Sequence, residues 1–146
     1  RDVAVTGVQT CALPIYVKAG QTSDVLMSQI DFMASFGNLI GATFPKGSAP
    51  DSKNHLGNLL GTDTTHRSWV AEMSSNHVLS IRTKEWKYIE PNDGSKMIKW
   101  GPKIETGNDP LPQLYHISDN LYEQDNVADT HPTVVYELQN ILRRVR

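Results

Sequence analysis

Apolar residues Val25, Leu26, Ile30, Met33, Phe36, Leu39 and Ile40 recur mostly at spacings of three and four. That is the period of an amphipathic helix, and Gly41 stands where a helix C-terminus favours glycine. The pattern predicts a helix over residues 29–40, with 24–28 leading into it. Pro45, Gly47, Ser48 and Pro50 make 44–52 a turn-rich connector. Leu56, Leu59 and Leu60, closed by Gly61, predict a short helical turn. The period then changes. Residues 69–73, 77–82, 86–89 and 113–117 are short runs rich in aromatic and β-branched side chains, parted by polar turns, and predict antiparallel strands. In the second run Val78, Ser80 and Arg82 share one face and Leu79 and Ile81 the other. Residues 91–94 and 101–112 read as loops. Pro132 suits the first turn of a closing helix, and Val134, Val135, Leu138, Ile141, Leu142 and Val145 form one stripe along it.

A length of 146 residues allows one domain or a piece of a larger one. Fourteen Lys and Arg against sixteen Asp and Glu give a formal net charge of -2, without the basic excess of a nucleic-acid-binding domain. No apolar run approaches the roughly 20 residues of a membrane span. A single cysteine, Cys11, excludes an internal disulfide and argues against a thiolate metal site. The expected class is an α+β unit, a small antiparallel sheet packed by the C-terminal helix. One stretch stands apart. Residues 5–15 read VTGVQTCALPI, which resembles a translated sequencing adapter, so residues 1–15 are expected to be an artefact of assembly.

Motif chemistry is sparse. A nucleophile elbow, a glycine-rich phosphate loop and an HExxH helix are all absent from the sequence. The histidines at 55, 66, 77, 116 and 131 are too far apart for a local metal-binding pair. Asp24 and Asp31 flank the first helix in a capping and solvation pattern. Arg143, Arg144 and Arg146 complement the dipole of the last helix turn.

The order of the pieces nevertheless resembles the C-terminal end of an arylsulfatase-type sulfatase of the alkaline-phosphatase superfamily. Gln29-Ile30-Asp31 is similar to the segment opening the last helix of the large domain, which ends in glycine as at Gly41. Ala49-Pro50-Asp51-Ser52 and Leu59-Leu60-Gly61 resemble the connector and turn that follow. Ser80-Ile81-Arg82 and Trp86-Lys87-Tyr88-Ile89 match the strand pair, and Leu114-Tyr115, Glu123 and Asn126 match the closing motif. Asn120-Leu121 stand where the family usually has Asp-Pro.

The resemblance implies three segments: an artefact over 1–15, the tail of a large catalytic α/β domain over 16–45, and a C-terminal sulfatase subdomain over 46–146. The helix near residue 30 is then severed from its catalytic domain, leaving Met33, Phe36 and Ile40 uncovered. Hydrolysis of sulfate esters on glycans is implied, through a formylglycine nucleophile and calcium that both lie upstream, in a periplasmic or extracellular parent. Cys11 lacks the Cys-x-Pro-x-Arg context of that nucleophile. No catalytic or metal-ligating residue is expected in this chain, and the chain alone is expected to be inactive. The expected partners are a sulfated carbohydrate and the missing catalytic domain, with no nucleic acid and no membrane. His77 and Asn76 are the leading substrate-binding candidates, because imidazole and carboxamide suit sugar hydroxyls. Arg67, Asp51 and Ser52 are candidates for the pocket edge. A carbohydrate-binding or interaction module without chemistry is the alternative, and a phosphodiesterase or phosphonate hydrolase relative a third reading.

Overall fold

The computed structural model describes residues 17, 20, 22–74, 76–98, 100, 101, 104–118 and 122–145. The adapter-like stretch with Cys11, the Asn120-Leu121 departure and Arg146 lie outside the described residues. The chain divides into two compact units, the first ending at Arg67 and the second running from Ser68 to Arg146.

The first unit holds helix α1, Asp31–Leu39, and the short helix α2, Leu56–Leu59. α1 is shorter than its apolar period predicts. Residues 29 and 30 form a turn instead, with the N–H of Asp31 bonded to Ser28 O and that of Phe32 to Gln29 O. Both helices end in the same way. Ala42 N donates to Gly37 O and Gly41 N to Asn38 O; Thr62 N donates to Gly57 O and Gly61 N to Asn58 O. This pairing needs a left-handed residue just past the helix, supplied by Gly41 at φ 67° and Gly61 at φ 73°. Gly37, within α1, has a different reason: an added Cβ would lie 2.2 Å from the ring of Phe44. The apolar stripe of α1 faces outward. Met33 is 46%, Phe36 51% and Ile40 77% exposed, as the severed-helix expectation requires.

The second unit is a four-stranded antiparallel meander in the order β1 (Val70–Met73), β2 (Leu79–Arg82), β3 (Trp86–Ile89), β4 (Gln113–His116). All four strands match predicted runs; β3 has the predicted bounds, and the other three are trimmed where the chain turns. Register places Ala71, Ile81, Tyr88 and Leu114 in one transverse row. Helix α3, Pro132–Val145, lies on that row after a 3₁₀ turn at Ala128–Thr130. Leu138 and Leu142 are buried with Ile81, Tyr88, Leu114 and Ala128, while Val134, Val135 and Ile141 pack around them. Glu137 and Arg144 face away, as the predicted stripe demands. Burial raises the Tyr88 phenol above its usual range, and Gln139 Nε2 donates to its hydroxyl at 3.0 Å. This is the expected α+β architecture: a small antiparallel sheet packed by the C-terminal helix.

Three contacts finish the free side of β4. Asn126 Oδ1 accepts from Leu114 N at 2.9 Å and Ala128 N at 3.1 Å, and its Nδ2 donates to Pro112 O at 3.1 Å. Lys87 Nζ holds both carboxylate oxygens of Glu123, at 2.7 and 2.8 Å. The Trp86 ring packs against both His116, at 4.5 Å, and His131, at 5.1 Å.

Candidate functional site

In the first unit the polar side chains gather around Asp31, which is fully buried. Its carboxylate accepts from Ser28 N at 2.8 Å, Lys53 N at 2.9 Å and Arg67 Nε at 2.8 Å, and is bonded by Arg67 Nη2 as well. Burial opposes its ionisation, but the Arg67 guanidinium and the two backbone N–H groups outweigh burial and hold it well below the usual carboxylate range. Around it, Ser35 Oγ donates to Asp31 O at 2.7 Å and accepts from His55 N at 2.8 Å. His55 Nδ1 meets Asn58 Oδ1 at 2.8 Å; a carboxamide oxygen only accepts, so Nδ1 carries the proton. His55 Nε2 is buried with no hydrogen-bond partner among the described residues, 3.8 Å from Asp31 Oδ2.

Three sequence candidates fall in this network. Arg67 also donates through Nη2 to Asp51 O, so its guanidinium is committed to the fold and the residue is nearly buried. Ser52 Oγ bridges the first turn of α1, donating to Ile30 O at 2.6 Å and accepting from Ala34 N at 3.0 Å. Asp51 contributes its carbonyl and leaves its side chain exposed. The cluster ties the 51–55 connector and Arg67 to the start of α1. Four donors occupy the Asp31 carboxylate, which makes it a fastening and not a proton acceptor.

The other two candidates sit in the second unit, at the β1–β2 turn. His77 N donates to Ser74 O at 3.0 Å and Ser74 N to Val78 O at 2.9 Å, closing a turn that ends on a left-handed residue. That residue is His77, at φ 62°. Histidine tolerates this region better than branched residues, and turn geometry accounts for the conformation. Both Asn76 and His77 are exposed.

Asn76 lines a groove of about 430 Å³ with Ser74, Ser95, Met97, Ile98, Trp100, Thr106 and Asn108. His77 is not among the lining residues. The far wall is a small hairpin inserted between β3 and β4: Met97 bridges Glu105, Ile98 N donates to Ile104 O at 2.9 Å, and Thr106 N to Lys96 O at 3.0 Å. Its base is fixed by Asn92 N on Asp109 O at 2.8 Å and by the Lys96–Asp109 ion pair at 2.5 Å. Asn108, 6% exposed, donates through Nδ2 to Ser95 O at 3.0 Å. An added Cβ on Gly94 would lie 2.5 Å from that Nδ2, so glycine keeps the carboxamide in place. The sequence pattern predicts loops over 91–94 and 101–112 and no strand between them. The available signal for this wall was a tryptophan between lysine and Gly-Pro in a polar segment, Lys99-Trp100-Gly101-Pro102.

Among the described residues no group of three or more His, Cys, Asp or Glu is assembled to hold a metal ion. No helix of the described residues is long and apolar enough to cross a membrane.

No protein-family model matches the chain. An N-acetylgalactosamine-6-O-sulfatase of Bacteroides thetaiotaomicron is 43% identical over 133 residues, covering 91% of this chain and 26% of that protein. Arylsulfatase K of Canis lupus familiaris is 26% identical over 141 residues, covering 88% and 24%. A solved structure described under metabolism of multiple glycosaminoglycans by Bacteroides thetaiotaomicron superposes with a TM-score of 0.82 at 42% identity, over 90% of this chain and 27% of that one. The chain is thus homologous to the C-terminal regions of sulfatases, and it spans about a quarter of the length of the curated relatives it matches.

Proposed function

We propose that this chain is the C-terminal part of a sulfatase that hydrolyses sulfate esters on glycans, and that it shapes the glycan-facing side of the substrate pocket. The observation that carries the reading is 43% identity to an N-acetylgalactosamine-6-O-sulfatase along nearly the whole chain. The outward apolar face of α1 supports the C-terminal placement, because a surface of that kind fits the seam of a larger domain. On this reading residues 16–45 are the tail of the catalytic domain and 46–146 the C-terminal subdomain.

The chemistry belongs to the missing part. The described residues assemble no group of three or more His, Cys, Asp or Glu that could hold calcium. What these residues do is bind and orient. His77 and Asn76 occupy an exposed turn, and imidazole and carboxamide pair with sugar hydroxyls. Arg67, Ser52 and the Asp51 carbonyl brace the connector at the start of α1. The parent is placed outside the cytoplasm, where sulfated glycans are met.

The test supplies the chain with the N-terminal three-quarters of the Bacteroides relative and measures sulfate release. The chain alone is expected to release none, and the completed protein to act on N-acetylgalactosamine 6-sulfate. In the completed protein His77→Ala should lower kcat/KM on a sulfated glycan about tenfold more than on a small aryl sulfate, the size of one lost charged or polar contact. Failure of the completed protein to release sulfate overturns the reading; equal losses on both substrates remove His77 from the glycan contact.

A further inference from the structure

Apart from Asn76, the groove between the β1–β2 turn and the inserted hairpin is built of groups that the reading above does not use. Trp100 is 81% exposed, an apolar surface that a folded chain does not ordinarily leave alone in a polar segment. Around it the lining is hydroxyl and carboxamide: Ser74, Asn76, Thr106 and Asn108. Among the described residues none of the lining side chains is charged, and the neighbouring Lys96 is held by Asp109. The wall is preformed. Thr106 Oγ1 donates to Ser95 O at 2.5 Å and Asn108 N to Thr106 Oγ1 at 3.3 Å, so the polar groups are oriented before anything enters. Asn76 makes no side-chain hydrogen bond among the described residues, which leaves its carboxamide to a ligand.

From this we infer that the groove is a subsite for an uncharged pyranose ring of the glycan, lying against Trp100 with its hydroxyls on Asn76 and Thr106. The electron-rich face of an indole attracts the polarised axial C–H groups of a sugar, while its edge stays in water. Asn76 can both donate to and accept from a sugar hydroxyl, while Thr106 Oγ1, its proton given to Ser95 O, keeps an acceptor site for one. Met97 and Ile98 add an apolar floor that suits the methyl of an N-acetyl group. A sulfate or uronate would have to leave water with no cation among the described lining residues to receive it. A volume of about 430 Å³ is within the range of small-ligand sites, roughly 300–1,000 Å³. The subsite deepens the glycan reading proposed above and rests on it for the identity of the ligand. It assigns to this chain the recognition of a neutral neighbour of the sulfated sugar.

The experiment titrates methyl N-acetyl-β-galactosaminide into the 146-residue chain, following the backbone N–H groups of Thr106 and Asn108 by NMR, with glucuronate as the charged probe. Saturable binding is expected, weakened about tenfold by Trp100→Ala, as removal of a central aromatic anchor does. Asn76→Ala should weaken it several-fold, and Trp100→Phe should retain most of it. Trp100 and Asn76 are exposed, so neither change threatens the fold, and unchanged amide shifts outside the groove verify this. No saturable binding, equal affinity of Trp100→Ala and the parent sequence, or equal affinity for glucuronate each overturns the inference. Sugar binding without sulfate release by the completed protein would overturn the sulfatase reading and keep the groove. Sulfate release with a Trp100→Ala titration unchanged would overturn the groove and keep the sulfatase.

Discussion

Asp31 shows how one residue commits the first unit. It is fully buried, and its four donors come from Ser28, Lys53 and Arg67, one segment before it and two well after it in sequence. Breaking a buried pair from one side leaves an uncompensated charge, so Asp31→Asn should cost about 3–5 kcal/mol in urea unfolding. The pH dependence follows from the direction of the shift. The folded carboxyl titrates below its unfolded range near pH 3.9, so its contribution is complete above about pH 5 and is lost as pH falls through the folded value. Stability of the parent sequence should therefore fall between pH 5 and pH 2 more steeply than that of Asp31→Asn. Parallel slopes would show that Asp31 is not a stabilising carboxylate.

Among the elements, β4 relies most on side chains. On one side it pairs with β3; on the other Asn126 supplies an acceptor for Leu114 N and a donor for Pro112 O, and Val127 N bonds Leu114 O at 2.9 Å. An open strand edge invites pairing with another chain, and this staple blunts it. Asn126→Ala removes the acceptor for two N–H groups and should cost about 1–2 kcal/mol by chemical denaturation, with increased self-association on heating. An unchanged midpoint would mean that water replaces the carboxamide without loss. The same segment ties Glu123 and Asn126 to the sheet: Asn126 finishes β4 while Glu123 returns to Lys87 on β3.

At the scale of the molecule the two units differ in where their apolar surface goes. The second buries its stripe: α3 and the row Ala71, Ile81, Tyr88, Leu114 close on each other. The first leaves Met33, Phe36 and Ile40 outward. Replacing all three with Gln should change the unfolding free energy of this chain by less than about 1 kcal/mol, since exposed side chains contribute little. Self-association at high concentration should drop in the same variant. In the completed protein the triple change should cost several kcal/mol, because the face would then be covered. A large loss in the isolated chain would show that the three side chains are already covered there.

Short-range order was legible without the fold. The strand runs, the stripe Val134–Val135–Leu138–Ile141–Leu142 and the terminating glycines follow from period and backbone preference, which act between residues a few positions apart. So was the outward face of α1, because its pattern implied cover that the later segments did not supply. The chain itself also carried the likeness to sulfatases. Tertiary structure alone decided the rest. Asp31 read as a capping residue, and only folding brought Arg67, thirty-six positions away, onto its carboxylate. Arg67, Ser52 and Asp51 read as pocket edge, and only folding revealed the bonds by which they also brace α1. Asn76 had no visible companions until the hairpin carrying Trp100 and Asn108 formed the opposite wall of its groove. Period and composition report the neighbours that a residue has along the chain. A site is made by neighbours across it, and those are chosen by packing and by the pairing of buried polar groups.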